Sequence, residues 1–287
     1  RAAFSLSEYV TMSIDTQVKA PEPNTSESLV LEGRGLTMRF GGLVAVESVD
    51  ITLKRGEVLA IIGPNGAGKT TLLNLITGIY TPTEGDVFLE GRRLNGIPAH
   101  KIAEAGIART FQTSRLFGSL SVLDNVIIGM HTRTKCGVLT ALLLPGRANA
   151  EMRRAAERAG ELLKRVSPDL YERRNQLASS LPQADRRRLE IARALATEPN
   201  VVLLDEPSSG MDDRDTDALI ADIRRLQQEN PRLSFIIIEH DMRLVAALPH
   251  RVMVLDYGRK IGDDRFEVVR QLPRVQEAYL GRKASHA

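Results

Sequence analysis

The sequence predicts an α/β fold with a mixed or parallel sheet core, an antiparallel β edge and an inserted α-helical subdomain. Short apolar runs typical of strands occur in both the first and the last third of the chain. A glycine-rich loop lies between one such run and a segment with helical spacing of leucines. An Ala-, Arg- and Glu-rich stretch separates the two groups of strands, as expected for a helical unit inserted into an α/β core.

Several strands and one helix are predicted before the middle of the chain. Residues 29–40 and 45–54 alternate apolar and polar side chains, which is typical of half-buried strands. Residues 57–63, EVLAIIG, are a continuous apolar run that ends in glycine and indicates a buried strand. The leucine spacing in TTLLNLITGI predicts a helix, and GDVFLEGRRL predicts a further strand and turn.

The second half of the chain begins as a helix and returns to strands. Residues 147–166 contain few β-branched residues and predict a helix whose charges lie on a solvated face. Apolar runs then predict strands in VVLLDEP, SFIIIEHD and RVMVLDYG. We therefore expect a flexible N-terminal extension over 1–28, a main domain over 29–265 with a helical subdomain at about 113–197, and a C-terminal tail without readable chemistry over 266–287.

Composition excludes several classes of protein. The net charge of +3 comes from interspersed acids and bases, so it gives nucleic-acid binding no support. Cys136 is the single cysteine, which excludes an internal disulfide, and we interpret it as an idle or buried thiol. The five histidines lack metal-ligand spacing. No apolar run reaches the ~18 residues of a membrane span. The N-terminal residues lack a signal-peptide core, and residues 1–11 are interpreted as an extension upstream of a start at Met12.

The strongest motif is GPNGAGKTT, which lies between a predicted strand and a predicted helix. It matches the phosphate-binding loop G-x-x-x-x-G-K-[ST], in which glycines let backbone N–H groups turn towards a nucleotide. Lys69 is expected to reach the β- and γ-phosphates of ATP, and Thr70 to bind Mg²⁺. The predicted nucleotide-binding residues are Gly63, Pro64, Asn65, Gly66, Ala67, Gly68, Lys69, Thr70 and Thr71.

A second motif supplies two carboxylates. VVLLDE at 201–206 is a predicted buried strand that ends in two acids and is followed by a Pro-Ser-Ser-Gly turn. Asp205 fits the role of a Mg²⁺ ligand, direct or through water. Glu206 fits a general base that polarises the attacking water.

With these motifs, residues 29–262 resemble the ATP-binding cassette (ABC) ATPases, a branch of the P-loop NTPases. The resemblance implies four further site residues. Gln112 in RTFQTSRLF would bind Mg²⁺ and link the metal site to a membrane subunit. Asp212 in SSGMD would lie at a dimer interface, and His240 in IIIEHDM would contact the γ-phosphate. Phe40 occupies the position at which the family stacks an aromatic ring on adenine.

Finer features resemble one branch of the family. The segments LTMRFGGLVAVESVDITLKRGEV, GIARTFQTSRLF and RRLEIARALATEP look like the ATP-binding subunits of branched-chain amino acid importers. This resemblance implies a head-to-tail dimer with a second ABC ATPase, which is either a paralogue or a copy of the same chain. It also implies two integral-membrane permease subunits, an extracytoplasmic solute-binding protein and a place at the cytoplasmic face of the inner membrane. The cargo is not fixed by the residues.

The motif that closes the partner's nucleotide site in such dimers is altered here. The family pattern is Leu-Ser-Gly-Gly-Gln, whereas this chain has Leu181, Pro182, Gln183, Ala184 and Asp185. Pro182 has neither hydroxyl nor N–H, the next two residues add side chains, and Asp185 is expected to repel a phosphate. This stretch can be an inert helix start, an engineered or evolved dampener of one site, or a peculiarity compatible with slow turnover.

Three functions follow from these features. The leading hypothesis is the ATP-hydrolysing motor subunit of an ABC importer for amino acids, with low activity as an isolated chain. The alternative is an ATP-gated dimerising module with little or no hydrolysis. A soluble ABC ATPase acting on DNA or the ribosome is disfavoured, because the chain lacks a coiled-coil insertion, a second cassette and a basic stripe beyond residues 186–188.

Overall fold

The computed structural model describes residues 28–110, 116–130 and 145–280. Gln112, Cys136, Met12 and most of the predicted N-terminal extension lie outside these ranges. The described strands form two sheets. They are β1 (Leu29–Phe40), β2 (Leu43–Lys54), β3 (Val58–Ile62), β4 (Glu84–Leu89), β5 (Arg92–Arg93), β6 (Ile107–Arg109), β7 (Val201–Asp205), β8 (Ser234–Ile238), β9 (Arg251–Asp256) and β10 (Arg259–Asp264).

One sheet is antiparallel and the other is mainly parallel. The antiparallel sheet has the strand order β2-β1-β4-β5. The second sheet has the order β10-β9-β3-β8-β7-β6, with parallel pairing from β9 to β6 and an antiparallel edge at β10. The predicted mixed core is therefore confirmed, while the antiparallel strands at the start of the chain form a sheet of their own.

The predicted helices are also confirmed, and shorter ones are added. The leucine-spaced segment is α1, and the predicted helix at 147–166 lies within α4. The described helices are α1 (Lys69–Ile76), α2 (Ala99–Glu104), α3 (Val122–Gly129), α4 (Pro145–Val166), α5 (Pro168–Glu172), α6 (Gln183–Leu195), α7 (Asp213–Glu229), α8 (Met242–Ala247), α9 (Phe266–Val269) and α10 (Pro273–Leu280). Among the residues described, no helix combines the length and apolarity needed to cross a bilayer.

The parallel sheet is buried on both faces. Strands β3, β7 and β8 are buried at every position. Because side chains alternate along a strand, Leu203 and Ile236 face a cluster with α1 and the antiparallel sheet, whereas Leu204 and Ile237 face a cluster with α3, α4, α6 and α7. Burial on both faces explains why these strands have continuous apolar sequences.

The insert between β6 and β7 is helical, as predicted. Its helices α3, α4 and α6 pack around a shared apolar cluster. Asn125 in α3 is fully buried and bonds to both the N–H and the carbonyl of Phe117, at 2.9 and 3.1 Å, which ties the preceding loop to the helix. The limits of about 113–197 for this subdomain stay a prediction, as do the other domain limits.

Candidate active site

The phosphate loop connects β3 to α1 and leaves little room for side chains. The backbone of Gly68 is left-handed, with φ at 98°, directly before Lys69 opens α1. A Cβ added to Gly68 would collide with the carbonyl oxygen of Ala45, and one added to Gly63 would collide with that of Leu255. Glycine is therefore required at both positions, and the loop is held in place by the neighbouring β2 and β9.

Lys69 is folded back into the loop. Its ammonium donates hydrogen bonds to the carbonyl oxygens of Gly63 at 2.6 Å and Pro64 at 2.9 Å. Burial lowers the pKa of Lys69, and the nearby carboxylates of Glu206 and Asp205 oppose that shift. A partly buried ammonium at the N-terminus of a helix is suited to bind polyphosphate.

Asp205 lies at the end of β7, next to the loop, and is held by an arginine. Arg109 at the end of β6 donates from Nη2 to Asp205 Oδ2 at 2.8 Å, and from Nη1 to Asn74 Oδ1 at 2.6 Å. Each side chain of the ion pair is only 6% exposed. One arginine thereby connects β6, α1 and β7 at the place where a metal ion is expected.

The chemistry of the donors fits Mg²⁺. Mg²⁺ usually takes one or two protein oxygens and completes its shell with phosphates and water. Asp205 supplies a carboxylate and Thr70, in the first turn of α1, a hydroxyl. No group of three His, Cys, Asp or Glu residues that could hold a metal by itself occurs in the described ranges. With Asp205 and Thr70 as protein oxygens, the donor set fits Mg²⁺.

Glu206 has an uncommon backbone conformation. Its φ is 49°, in the left-handed region that is costly for a residue with a Cβ. Its N–H bonds to the carbonyl of Ile238 at 2.9 Å, and its own carbonyl accepts from the N–H of Ser209 at 3.2 Å. The chain therefore turns sharply as it leaves the sheet at Glu206, and the charge of Glu206 acts to raise the pKa of Lys69.

Glu239 connects this turn to His240. Its carboxylate is 1% exposed and accepts hydrogen bonds from the backbone N–H of Ser208 at 2.8 Å, His240 at 3.0 Å and Asp241 at 3.3 Å. Burial raises the pKa of Glu239, while these bonds and one to the Ser208 side chain oppose the shift. The imidazole of His240 is 66% exposed, with Nδ1 3.9 Å from Glu239 Oε2, so it can reach a ligand.

Comparison with known proteins identifies the family. A model of the ABC transporter family matches residues 46–209. The chain belongs to this family. The high-affinity branched-chain amino acid transport ATP-binding proteins LivG of Salmonella typhimurium and BraF of Pseudomonas aeruginosa are each 40% identical to it. Each alignment spans 88% of this chain and 98% of the relative.

Solved ABC structures share the fold. A nucleotide-free ATP-binding cassette has a TM-score of 0.77 and 28% identity, over 88% of this chain and 100% of the other. A cassette in its ADP conformation has a TM-score of 0.75 and 28% identity, over 88% and 99% of the two chains. The predicted fold class and family are confirmed, and the chain is an ATP-binding and ATP-hydrolysing ABC subunit.

The altered signature of this ABC subunit lies between a short 3-10 turn, Ala178–Ser180, and α6. Pro182 is the N-cap residue of α6 and has no capping side-chain bond, and Gln183 begins the helix. These two residues are exposed, whereas Leu181, Ala184 and Asp185 are buried within the chain. Among residues 181–185, Pro182 and Gln183 are therefore the ones whose side chains can contact a second subunit.

The expected role of Asp185 requires correction. Its carboxylate accepts from Arg173 Nη1 at 2.6 Å and from Arg188 Nη1 at 3.3 Å, inside the helical subdomain. Two guanidinium groups compensate the charge, so the predicted repulsion of a phosphate by Asp185 is wrong as stated. The arginines at 186–188 are likewise used internally: Arg186 bonds to the Ser179 carbonyl at 2.7 Å, and Arg187 pairs with Glu190 at 2.9 Å.

Two more predicted residues have defined positions. Asp212 is the N-cap residue of α7 and accepts the N–H of Asp215 at 2.8 Å, so it has a structural role besides any contact with a partner. Phe40 ends β1, is 42% exposed and meets Tyr80 edge-on, with ring centroids 5.3 Å apart. Its exposed face is available for stacking.

Sequence patterns did not reveal Arg109, Glu239 or Tyr279 as parts of the site. Tyr279 in α10 hydrogen-bonds to the backbone of Gly63, and burial raises the pKa of its phenol. The C-terminal tail, predicted to carry no readable chemistry, therefore touches the first glycine of the phosphate loop. A signal was available for Glu239, because an acid that directly follows a fully apolar strand needs compensation.

Proposed function

We propose that the chain is the ATP-hydrolysing subunit of an importer for branched-chain amino acids or related small polar solutes. The observation that carries the proposal is the meeting of the phosphate loop with the acids of β7, beside Lys69. The names of LivG and BraF supply the class of cargo. A peripheral location at the cytoplasmic face of the membrane follows from that role.

The site residues divide the work of hydrolysis. The loop N–H groups and Lys69 bind the phosphates, and Thr70, Asp205 and Gln112 would hold Mg²⁺, which neutralises phosphate charge when bound. Glu206 orients and polarises the attacking water. His240, exposed at the end of β8, contacts the γ-phosphate, and Phe40 stacks on the adenine.

The partner subunit would complete each nucleotide site. We propose a head-to-tail dimer in which this chain's loop is closed by a partner's signature. The backbone at 181–185, the side chains of Pro182 and Gln183, and Asp212 would face the partner. Pro182 offers the partner's phosphate no hydroxyl and no N–H. A heterodimer would then have one complete and one weakened site, whereas a homodimer would have two weakened sites and low turnover.

A cleft beside the site fits a permease segment. It has a volume of about 680 Å³ and lies between α2, β6, α3 and α6. Three large apolar side chains on its walls are unusually exposed: Ile79, Phe117 and Ile128, at 45%, 48% and 39%. Exposed apolar groups gathered around one concavity are typical of a protein interface. An apolar helix end of an integral-membrane subunit would cover them, and that subunit would receive solute from an extracytoplasmic binding protein.

Reconstitution with the permease pair, a second ABC ATPase subunit and the solute-binding protein tests this function. We expect ATP-dependent uptake of radiolabelled leucine into vesicles, and its loss in Glu206→Gln, which keeps the shape of the side chain but not its basicity. Uptake of urea, measured in parallel, distinguishes a relative with different cargo. ATP hydrolysis without uptake of any small solute would contradict the transport role.

The altered signature favours a second candidate, an ATP-gated dimerising module. That module would dimerise on ATP in its wild-type form, without needing a hydrolysis-deficient variant to trap the dimer. Light scattering of the wild type with MgATP separates the two: a dimer that persists for hours indicates the module, and its decay with phosphate release indicates the motor.

A further inference from the structure

Arg109 pairs with one buried carboxylate and shares a cleft with another. On one side it holds Asp205, the magnesium ligand predicted above, at 2.8 Å. On the other it lines the 680 Å³ cleft, whose wall also includes Glu190 from α6. Each side chain of this ion pair is only 6% exposed, so little solvent screens the attraction, and losing either partner would leave a buried charge uncompensated.

Glu190 is a buried acid with unused bonding capacity. It is 4% exposed, and its Oε2 accepts from Arg187 at 2.9 Å. Within the part of the chain that the structure describes, its Oε1 is buried without a hydrogen-bond partner. Such an atom is costly unless a donor reaches it in some state of the protein.

We propose that Arg109 is a two-position latch, bound to Asp205 in the nucleotide-free protein and to Glu190 when Mg²⁺ takes Asp205. Arg109 and Mg²⁺ are both cations that need the same buried carboxylate, so each weakens the binding of the other. The cleft gives the displaced guanidinium room, and the unused oxygen of Glu190 gives it an acceptor. The latch rests on the nucleotide site proposed above and makes Arg109 a positioning residue for that site.

Two substitutions are expected to act in opposite directions. Arg109→Met removes the competitor, so Mg²⁺ should bind more favourably. Glu190→Gln keeps the bond to Arg187 but weakens the second position of the latch, so Mg²⁺ should bind less favourably. In the double variant, Glu190→Gln should have no further effect, because its consequence passes through Arg109.

The measurement is the affinity of the full chain for a fluorescent, non-hydrolysable ATP analogue, in EDTA and in excess Mg²⁺. The ratio of the two affinities isolates the contribution of the metal. We expect the ratio to rise about fivefold or more in Arg109→Met and to fall by a similar factor in Glu190→Gln. Arg251→Met is the matched control: Arg251 also bridges two acids, the buried Glu57 and the partly exposed Asp263, and its loss should leave the ratio unchanged.

The outcomes separate the latch from the nucleotide site itself. Equal ratios in wild type and both variants, or a lower ratio in Arg109→Met, would overturn the latch while leaving nucleotide binding intact. If the wild type does not bind the analogue in either buffer, the proposed function fails instead. If Arg109→Met does not fold, the near-isosteric Glu190→Gln still tests the latch. An unchanged affinity ratio in that variant would show that Arg109 does not move to Glu190.

Discussion

The carboxylate of Glu239 accepts the backbone N–H of Ser208 at 2.8 Å, and this bond joins the turn after Glu206 to the turn that carries His240. The two turns leave neighbouring parallel strands, β7 and β8, whose pairing ends at Asp205 and Ile238. Beyond that pair the sheet no longer aligns the chains. Glu239 holds the two turns together instead. One carboxylate oxygen accepts from Ser208 in the turn after β7, and the other accepts from His240 and Asp241 in the turn after β8.

Replacing Glu239 by glutamine should therefore damage catalysis more than binding. Both oxygens of Glu239 accept backbone N–H groups, whereas glutamine has only one acceptor oxygen. Its NH₂ group would face a backbone N–H, which would lose its hydrogen bond. We expect ATP turnover to fall about tenfold or more, ATP affinity to change by about threefold at most, and unfolding free energy to drop by about 1–3 kcal/mol. Steady-state hydrolysis, analogue binding and urea unfolding measure the three quantities.

The control is Glu57→Gln, at another buried acid. Glu57 is 4% exposed and accepts the N–H of Lys54 at 2.7 Å. It directly precedes β3, at the opposite end of that strand from the phosphate loop. The Glu57→Gln substitution should lower the unfolding free energy without lowering ATP turnover per folded molecule. Equal loss of turnover in both variants would mean that Glu239 acts only through general stability.

Lys69 should make the stability of the nucleotide-free protein depend on alkaline pH. Its pKa in the folded state is below the ordinary value of 10.5 because of burial. Between the lowered pKa of the folded state and the ordinary value of 10.5, the unfolded chain binds more protons than the folded one. The stability of the folded protein therefore rises with pH across this window and is lost again as pH falls through the folded-state pKa. Below that window the buried charge is a cost to folding.

The measurement is the melting temperature of wild type and Lys69→Met without nucleotide, from neutral pH up to the ordinary lysine pKa of 10.5. The difference, wild type minus variant, should become more positive with pH, by about 2 °C or more. Lys54→Met, at an exposed lysine of β2, should show no such trend. A difference that is flat or falls with pH would contradict a lowered pKa.

Local sequence was sufficient to locate the phosphate loop and the buried strands, because both depend on short-range requirements. Glycines at 63 and 68 are needed wherever a side chain would collide with adjacent backbone, and continuous apolar runs are needed wherever a strand is covered on two faces. The same reasoning located α1 and α4. Strand β6 escaped prediction because three residues are too few to show a period.

The contacts between distant residues could not be predicted. Arg109 and Asp205 are 96 residues apart in the chain, and they meet because β6 pairs with β7 in the folded sheet. Asp185 was expected to point at a phosphate because of its place in the helix. Its actual direction is set by Arg173 from the helix before and by Arg188 one turn later. Arg188 is an i,i+3 neighbour on the same helix, whereas Arg173 lies 12 residues before Asp185 and follows from no local pattern.

The backbone conformation at Glu206 should favour glycine over a residue that has a Cβ. Its φ of 49° costs about 1 kcal/mol for a residue with a Cβ. We expect Glu206→Gly to unfold at a higher urea concentration than Glu206→Ala, with a difference of about 1 kcal/mol, although both lack the carboxylate and are inactive. Glycine at a residue with ordinary negative φ, as in Ala99→Gly at the start of α2, should be destabilising instead. If Glu206→Ala is the more stable variant, the backbone at 206 is not under strain.

The final prediction concerns which part of the altered signature limits turnover. Asp185 is compensated by Arg173 and Arg188, whereas the exposed Pro182 and Gln183 are the residues that can face a partner's phosphate. Changing residues 182–184 to Ser-Gly-Gly while keeping Asp185 should therefore raise ATP turnover of the isolated chain to the level of a full repair that also carries Asp185→Gln.

The same pair of variants should differ in stability. Asp185→Gln leaves the guanidinium of Arg173 without its ion partner and should lower the unfolding free energy by about 1–3 kcal/mol, while Arg188 keeps Asp222. Turnover is measured per mole of folded chain, with Glu206→Gln in each background as the control for background hydrolysis. If only the full repair restores turnover, the carboxylate of Asp185 limits the site despite its two arginines. If neither repair does, the low activity has a cause outside the signature.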